Sequence, residues 1–407
     1  MKILFPCSYN PFFDSTAISN RYSGIISGLL SKNAQIELLV LKGYVVEDEK
    51  LKAQALCEQL GIKIIYTNRL TNENIWWRRF NKYFMAAPLL LLNIVFLYYY
   101  FNKRYDFIFI TGNLTLRRVF NLANKKIKSK GIAEFSEFQS INSDYARNFL
   151  SKLVSKLELN TNTELIRNIP NLIIMTKILV DYYKKLSNNP NVNILHLPMT
   201  VDFDRFNIPT VNLTEFVKPY IAFVGVMSNA KDGINILIEA FNNISEEFPE
   251  FKLYLVGPWQ PDTYVHQQRI SELNLQDKII WTKEYPKEKI PSILKNANLL
   301  VLPRPNSKQA QGGFPTKLGE YLASGNPVCA TKVGEIPDYL VDNESVFFAE
   351  PDSIKSFEEA MRRAIQNPTC AKKIGQNGKM IAELTFNKDI QAEKLFEYLK
   401  QIKENRN

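Results

Sequence analysis

The sequence predicts an α/β protein with two Rossmann-like domains, each built on a doubly wound parallel sheet. At 407 residues the chain exceeds the usual size of a single hydrophobic core, so two domains of roughly 200 residues each are expected. Apolar residues make up 45% of the chain, which is enough to fill two cores. Short apolar runs alternate with segments of helical periodicity, a pattern typical of parallel sheets covered by helices.

The first half opens as a strand, a helix and a second strand. The helix spans about Ala17 to Leu30, where apolar side chains recur near helical spacing. Another helix is expected over residues 47–60. The strands predicted in this half are Lys2–Phe5, Ile36–Leu41, Lys63–Tyr66, Asp106–Thr111, Gly131–Phe138, Asn171–Met175 and Asn193–Leu197.

The second half repeats the alternation. It begins with the strand Tyr220–Gly225, a loop over residues 226–233 and the helix Ile234–Asn242, whose apolar residues form one face. Later helices are expected at Ser356–Gln366 and Lys388–Ile402. The remaining strands predicted here are Lys252–Val256, Lys278–Trp281, Asn298–Leu302 and Pro327–Ala330.

A loop and helix after the strand Asn298–Leu302 form a candidate phosphate site. Gly312 and Gly313 open a predicted loop, Pro315 stands where the first helical turn begins, and Gly325 ends the helix as its cap. Free N–H groups and the helix dipole make such an N-terminus attractive to anions, most often phosphate.

Lys317 and Glu320 project from one face of this predicted helix, because they are three residues apart. A cation that offsets phosphate charge and a carboxylate that accepts hydrogen bonds from ribose hydroxyls suit a nucleoside diphosphate. An ordinary strand–loop–helix unit with a surface ion pair is the alternative interpretation.

The net charge and the cysteine content indicate what kind of partner and compartment to expect for the protein. With 51 Lys and Arg against 41 Asp and Glu, the net charge of +10 predicts an anionic partner, either a phosphate-bearing substrate or a membrane surface. The charge is spread too evenly to indicate nucleic acid. Four scattered cysteines lack metal-ligand spacing, which predicts a reducing cytoplasm and no metal site. The N-terminus lacks the apolar core of a secretory signal, so a cytoplasmic protein is expected.

The segment Trp76–Phe101 differs from the rest of the chain. Its first part mixes aromatic side chains with Arg78, Arg79 and Lys82, and its second part is largely apolar. Interrupted by Pro88, the apolar part is shorter than the ~20 residues of a membrane span. Two interpretations remain: peripheral docking on the inner leaflet of a membrane through aromatic and basic side chains, or an aromatic-rich helix on the first sheet.

The motif Pro315-Thr-Lys317…Glu320-Tyr-Leu-Ala…Gly325-Asn-Pro327-Val resembles the donor-binding signature of retaining glycosyltransferases of the GT-B fold, in particular glycosyltransferase family 4. The likeness extends to the block Tyr220–Phe241 and, in outline, to almost the whole chain. It implies two Rossmann-like domains facing a cleft, with residues 1–203 for the acceptor and 204–385 for the nucleotide-sugar. The last segment, 386–407, is then expected to cross back to the first domain as a helix.

The resemblance also implies roles for residues of the second domain. Lys231, six residues after Gly225, and Lys317 are the expected catalytic cations on the donor diphosphate. Relatives carry an arginine directly after the glycine and a glutamate eight residues before the helix carboxylate, whereas this chain has Val226 and Gly312. The expected donor-binding residues are Gly225, Gly313, Phe314, Pro315, Thr316 and Glu320, with Tyr285 in the loop that holds the base.

For the acceptor, the resemblance points to the first domain. Ser15 and Thr16 stand near the paired glycines that the family usually carries after the first strand, and both can donate hydrogen bonds. Many relatives have a histidine after a strand of this domain, and this chain has none there. Glu134 and Glu137 occupy the matching region and are expected to orient the acceptor hydroxyl or accept its proton, with Glu137 as the catalytic candidate. A capping pair is the alternative.

The predicted function is retaining, metal-independent transfer of a hexosyl group from a nucleotide-sugar to a hydroxyl of a lipid-linked or growing bacterial surface glycan. No cofactor is expected beyond the nucleotide-sugar, because the lysines and the helix N-terminus can stabilise the leaving diphosphate. Two other functions remain open. A non-catalytic partner subunit would bind the donor without chemistry, and a nucleotide-sugar epimerase would need more ionisable groups than this sequence offers.

Overall fold

The computed structural model describes residues 1–7, 10–13, 17–41, 47–66, 95, 97–111, 114–139, 149–211, 213–258 and 261–406. The chain divides into two units, Met1–Leu197 together with Gln391–Asn407, and Pro198–Ile390. Each unit contains one parallel sheet with helices, which confirms the predicted α/β class. In the part of the chain described, no helix combines the length and apolar character needed to cross a bilayer.

The first unit contains a seven-stranded parallel sheet. Its strands are β1 (Lys2–Cys7), β2 (Gln35–Val40), β3 (Lys63–Tyr66), β4 (Phe107–Ile110), β5 (Gly131–Phe135), β6 (Asn171–Ile174) and β7 (Asn193–His196). Its helices are α1 (Ala17–Ser31), α2 (Glu47–Gln59), α3 (Leu114–Asn121), α4 (Lys125–Lys128), α5 (Phe149–Asn168) and α6 (Lys177–Ser187). The strand order β3-β2-β1-β4-β5-β6-β7 reverses between β1 and β4, as in a doubly wound fold.

Apolar layers cover both faces of this sheet, because successive residues of a strand point to opposite faces. Leu4 belongs to one layer, while its neighbours Ile3 and Phe5 belong to the other. In the second layer, the rings of Phe5 and Phe109 stack with their centroids 4.1 Å apart. Leu395, Leu399 and Ile402 from the C-terminal segment are buried in the same layer, so residues 391–407 complete the core of the first unit.

The second unit contains a six-stranded parallel sheet. Its strands are β8 (Tyr220–Val224), β9 (Lys252–Val256), β10 (Ile279–Thr282), β11 (Leu299–Leu302), β12 (Val328–Thr331) and β13 (Phe347–Ala349). Its helices are a 3-10 turn (Phe203–Phe206), α7 (Asn229–Asp232), α8 (Ile234–Ile244), α9 (Pro261–Glu272), α10 (Ile290–Asn296), α11 (Lys308–Gly312), α12 (Thr316–Ser324), α13 (Ile336–Tyr339), α14 (Ile354–Gln366) and α15 (Pro368–Phe386). Helix α16 (Lys388–Glu404) begins in this unit and continues into the first.

The strand order β10-β9-β8-β11-β12-β13 reverses between β8 and β11. Ligands of doubly wound folds bind at such a reversal, outside the carboxyl ends of the strands. Gly225 directly follows β8, and Pro303 directly follows β11. The two loops that the sequence associates with the donor therefore begin at the expected ligand position of this sheet.

The structure corrects the sequence-based elements before α12. The predicted loop at Gly312 is wrong, because Gly312 ends the short helix α11. Ser307 starts that helix, as its side chain accepts a hydrogen bond from the backbone N–H of Ala310 at 3.1 Å. Pro315 precedes α12 as its N-cap instead of lying in the first turn, while Gly325 caps its C-terminus in the left-handed conformation as predicted.

Helix α15 packs closely on the start of β12, and this contact yields a stability prediction. A Cβ atom at Gly375 would lie 2.5 Å from the carbonyl carbon of Asn326 and 2.7 Å from the nitrogen of Pro327. Gly375→Ala is therefore expected to lower the free energy of unfolding by about 1–3 kcal/mol, the usual cost of overpacking. Urea unfolding followed by circular dichroism measures this change.

The matched control for Gly375→Ala is Lys373→Ala, since Lys373 lies on the exposed side of the same helix. This control is expected to change the free energy of unfolding by less than about 0.5 kcal/mol. Equal effects of the two substitutions would contradict the close packing of α15 on β12.

Candidate functional site

Gly225 leaves room for the side chain of Lys317 at the end of strand β8. Its backbone N–H donates to the carbonyl of Val256 at 2.8 Å, which holds the residue in line with the sheet. Its φ of 151° lies in the region that favours glycine. A Cβ atom here would lie 2.2 Å from Cε of Lys317. Any other residue at position 225 would displace the lysine side chain.

Lys317 lies in the first turn of α12, and its side chain extends toward strand β8. Its Nζ is 2.5 Å from Oδ1 of Asp232 and 4.7 Å from the ring centroid of Phe223. Burial lowers the pKa of Lys317, since the charged form loses its hydration. The carboxylate of Asp232 acts in the opposite direction, while the positive charges of Arg304 and Lys231 lower the pKa further. Lys317 is thus a half-buried cation, with 22% of its side chain exposed, that is paired with Asp232 and has other positive charges nearby.

Asp232 is the residue that sequence reasoning missed at this site. It ends the short helix α7, beside Lys231, and its side chain is 9% exposed, whereas Lys231 is exposed. Gly233 then takes a φ of 65°, and a Cβ atom there would lie 2.0 Å from the carbonyl oxygen of Pro303. Because Gly233 has no Cβ atom, the 229–233 turn can pack closely against the loop after β11. The sequence signal for Asp232 was its position between Lys231, a predicted phosphate ligand, and Gly233.

Glu320 lies one turn further along α12 and is paired with Arg205. The guanidinium of Arg205 donates to Oε1 of Glu320 and, at 2.9 Å, to the carbonyl oxygen of Lys287. Burial and the positive charge of Arg205 lower the pKa of Lys287. Because its guanidinium is held by both Glu320 and the Lys287 carbonyl, Arg205 fixes the orientation of the Glu320 carboxylate. That carboxylate is predicted to accept hydrogen bonds from ribose hydroxyls. It comes from the 3-10 turn Phe203–Phe206, far away in sequence, and no sequence pattern linked the two.

The predicted donor-binding residues just before α12 are buried, so they offer a ligand their backbone more than their side chains. Phe314 is 5% exposed, and its ring packs against Tyr339 and Phe386 with centroids 5.7 and 5.1 Å away. Gly313 and Pro315 are buried, and Thr316 is half-buried. The ring of Phe314 is a core group, so its predicted donor contact can come only from its backbone.

Tyr285 follows β10, and its side chain packs toward the start of the domain. Its hydroxyl donates to Oε1 of Glu215 at 3.0 Å, and its ring lies 5.7 Å from that of Phe216. Burial and the neighbouring Glu215 carboxylate raise the pKa of Tyr285 to about 12. The phenol therefore stays protonated at neutral pH, and the contact of this loop with a nucleotide base stays a prediction.

The acceptor-side candidates belong to the first unit. Glu134 is buried and paired with Arg21, whose guanidinium also donates to the carbonyl of Leu197 at 2.8 Å. An acceptor that contacts Glu134 would have to displace Arg21. Glu137 is exposed, and its carbonyl accepts a hydrogen bond from Tyr183 at 2.7 Å. Ser15 and Thr16 lie outside the described residues, as does most of Trp76–Phe101.

The structure thus brings Gly225, Lys231 and Lys317 together at the carboxyl ends of β8 and β11, and Asp232 pairs with Lys317. Glu320 shares helix α12 with Lys317. Among the described residues there is no group of three or more His, Cys, Asp or Glu side chains that could hold a metal ion. The arrangement offers cations, free helix N–H groups and an oriented carboxylate, which can bind an anion that also carries hydroxyl groups.

Removing the Asp232 carboxylate tests the charge state of Lys317. Asp232→Asn leaves the half-buried ammonium of Lys317 without its counter-ion and is expected to cost about 1–3 kcal/mol of stability at neutral pH. The pKa of Lys317 falls further in the variant, so the lysine becomes neutral at lower pH. The stability difference from wild type is therefore expected to shrink as pH rises toward the ordinary lysine value. Urea unfolding at several pH values measures it.

Asp277→Asn is the matched control, because Asp277 is an exposed carboxylate of the same unit. It is expected to change stability by less than about 0.5 kcal/mol at each pH. A loss in Asp232→Asn that stays constant as pH rises would contradict a charged Lys317 held by Asp232.

Parts of the chain are similar in sequence to known glycosyltransferases. Two curated relatives match part of the chain: an uncharacterized glycosyltransferase of Methanocaldococcus jannaschii, 26% identical over 161 residues, and the capsular polysaccharide biosynthesis glycosyltransferase CapM of Staphylococcus aureus, 26% identical over 204 residues. These matches cover 39% and 48% of this chain, and 41% and 51% of the relatives. The chain therefore spans about half or less of their length.

A solved structure matches over nearly the whole chain. Anabaena Alr3699/HepE, crystallised with UDP and glucose, superposes with a TM-score of 0.70 at 16% identity, covering 98% of this chain and 100% of that one. At this identity the likeness concerns the fold. Residues 205–380, which contain Lys231, Asp232, Lys317 and Glu320, match the family model described as glycosyl transferases group 1. The second unit thus carries the glycosyl transferases group 1 region, in a chain with the fold of GT-B glycosyltransferases.

Proposed function

We propose that this protein is a retaining glycosyltransferase of family 4, which transfers a hexosyl group from a nucleotide-sugar to an acceptor hydroxyl. The observation that carries the proposal is Lys317, a half-buried cation in the first turn of α12, within the region that matches glycosyl transferases group 1. An ammonium at a helix N-terminus adds its charge to the helix dipole, and both attract a phosphate group.

The donor is expected to be a nucleoside diphosphate sugar. Lys231, Lys317 and the N–H groups at the start of α12 face the diphosphate, and Glu320, oriented by Arg205, accepts the ribose hydroxyls. UDP and glucose in the Anabaena protein of the same fold support a nucleotide-sugar donor.

In the proposed reaction the bond between the anomeric carbon and the diphosphate oxygen breaks, and the acceptor oxygen bonds to the same face of the sugar. The lysines and the helix N-terminus stabilise the negative charge that develops on the leaving diphosphate. The acceptor's proton passes to the leaving phosphate. These groups supply the charge stabilisation without a divalent metal.

The acceptor is proposed to be a bacterial cell-envelope glycan, either growing or lipid-linked. Its support is the name of the Staphylococcus aureus relative, which refers to capsular polysaccharide biosynthesis. Such acceptors lie at the cytoplasmic face of the inner membrane, so the proposal includes peripheral attachment there.

The donor site is tested by a thermal-shift screen with UDP, GDP, ADP and their sugars, with and without Mg²⁺. A nucleotide bound only by the folded state raises the melting temperature. One nucleotide is expected to do so without metal, and Lys317→Ala and Glu320→Ala are expected to abolish the shift. With that donor, Lys317→Ala is expected to lower turnover by about 10²–10³-fold, the usual effect of losing one charge-stabilising donor.

Lys379→Ala is the matched control, because this lysine lies on α15 and pairs with Glu383. It is expected to retain both the shift and the turnover. Near wild-type turnover in Lys317→Ala, or a shift that needs Mg²⁺, would contradict the proposed donor site.

Membrane attachment is tested through the described end of the segment Trp76–Phe101. Tyr98 and Tyr99 are 53% and 58% exposed, and Lys103 Nζ lies 4.6 Å from the Tyr99 ring centroid. Exposed aromatic rings beside a cation suit an anionic lipid surface. In flotation assays the protein is expected to bind phosphatidylglycerol vesicles and less so phosphatidylcholine vesicles.

The double variant Tyr98→Ala, Tyr99→Ala is expected to weaken vesicle binding. Tyr264→Ala is the control, since Tyr264 is also exposed, at 69%, but belongs to the second unit. Equal flotation of wild type and double variant would contradict docking through these rings.

A non-catalytic donor-binding subunit is the second candidate. It is favoured by Val226 and Gly312, which stand where relatives carry an arginine and a glutamate. Nucleotide binding without transfer or hydrolysis, across a panel of glycan acceptors, would support this candidate over the enzyme.

A further inference from the structure

The first unit holds an arginine at the reversal of its own sheet. Arg117 lies on α3, and its Nε donates to the carbonyl oxygen of Thr111 at 3.1 Å. Thr111 directly follows β4, and its Oγ1 donates to the carbonyl oxygen of Pro6 in β1 at 2.9 Å. The guanidinium is therefore held where the strand order turns from β1 to β4. Doubly wound sheets bind their ligands at this position, outside the carboxyl ends of the strands.

The hydrogen-bond partners of Arg117 are neutral. Besides the Thr111 carbonyl, its guanidinium donates through Nη1 to Oδ1 of Asn162 on helix α5. Within the described part of the chain, no carboxylate forms an ion pair with Arg117, and its Nη2 group has no hydrogen-bond partner. Arg21 and Arg205 differ in this respect, because each of them pairs with a glutamate.

Arg117 is also half-buried, so its charge is partly removed from water. Burial lowers the pKa of the guanidinium, since the charged form loses its hydration. Tyr22 and the exposed carboxylate of Glu158 act in the opposite direction, but neither forms an ion pair with it. A link between Thr111 and Asn162 needs only a neutral donor, whereas a half-buried charge without a counter-ion is unfavourable. The charge therefore suits an anionic ligand.

The place of Arg117 relates this ligand to the acceptor. Glu137, a predicted acceptor residue, follows β5, and β5 is the neighbour of β4 in the sheet. The carboxyl ends of parallel strands share one edge of a sheet, so Glu137 and Arg117 belong to the same edge. An anion held there lies on the side of the first unit where the acceptor is expected.

We propose that Arg117 binds a phosphate group of the acceptor, which makes the acceptor a phosphorylated molecule, either a lipid-linked diphosphate or a soluble sugar phosphate. The N–H groups of the guanidinium that Thr111 and Asn162 leave unused form two parallel hydrogen bonds to phosphate oxygens. The phosphate supplies the counter-ion that the described chain does not provide. This inference rests on the proposed function, because it names the class of its acceptor.

The test measures the binding of two phosphate probes to the full chain by titration calorimetry. Geranyl diphosphate represents a lipid-linked acceptor and glucose 6-phosphate a soluble one, with geraniol and glucose as their uncharged counterparts. The nucleoside diphosphate that the donor screen selects is present at saturation, so that the probes cannot occupy the donor site. At least one phosphate probe is expected to bind more tightly than its counterpart, and that probe identifies the source of the phosphate.

Two substitutions separate the charge of Arg117 from its structural contacts. Arg117→Gln removes the charge but keeps an N–H donor, and it is expected to weaken binding of that probe at least tenfold. Arg117→Lys keeps the charge without the fork of N–H groups and is expected to retain part of the affinity. Arg118→Gln is the matched control, because Arg118 is an exposed arginine beside it on α3. The control is expected to bind the probe as the wild type does.

The proposal is overturned if both phosphate probes bind no better than their uncharged counterparts, or if Arg117→Gln keeps the wild-type affinity. It is also overturned if Arg117→Gln and Arg117→Lys both fail to fold, because Arg117 would then be a structural residue. Failure of the wild type to bind any nucleotide would instead remove the proposed function, and the probe titrations would still decide whether Arg117 binds a phosphate.

Discussion

The second unit depends on one interaction, the ion pair between Lys317 and Asp232 across the end of strand β8. The pair needs a glycine at position 225, since a Cβ atom there would overlap the lysine side chain. It also needs the 229–233 turn to sit against the loop after β11, which Gly233 allows. Together these glycines set the distance between two loops that are far apart in sequence, so backbone packing positions the charges of the site.

The pair also lowers the electrostatic cost of the lysine at this position. A half-buried lysine near two other cations would be unfavourable alone, and Asp232 offsets part of that charge. Glu320 of the same helix pairs with Arg205, so Lys317 and Glu320 are each oriented by a neighbour of opposite charge.

Sequence patterns predicted the sheets and the positions of the loops after β8 and β11, because apolar strands, glycines at strand ends and the helix after Pro315 are local signals. The charge partners could not be predicted in the same way. Asp232 and Lys317 are distant in sequence, as are Arg205 and Glu320, and only the order of strands brings them together. Glu134 illustrates the limit in the first unit, since a carboxylate at a strand end resembles a site residue until its buried partner Arg21 is seen.

The most direct measurement is a crystal structure of the protein with the nucleoside diphosphate that stabilises it most. The account predicts diphosphate oxygens within hydrogen-bonding distance of Lys317 Nζ and of the N–H groups that begin α12, with a ribose hydroxyl at Glu320. A nucleotide bound in the first unit, or at another face of the second sheet with the Lys317–Asp232 pair untouched, would contradict it.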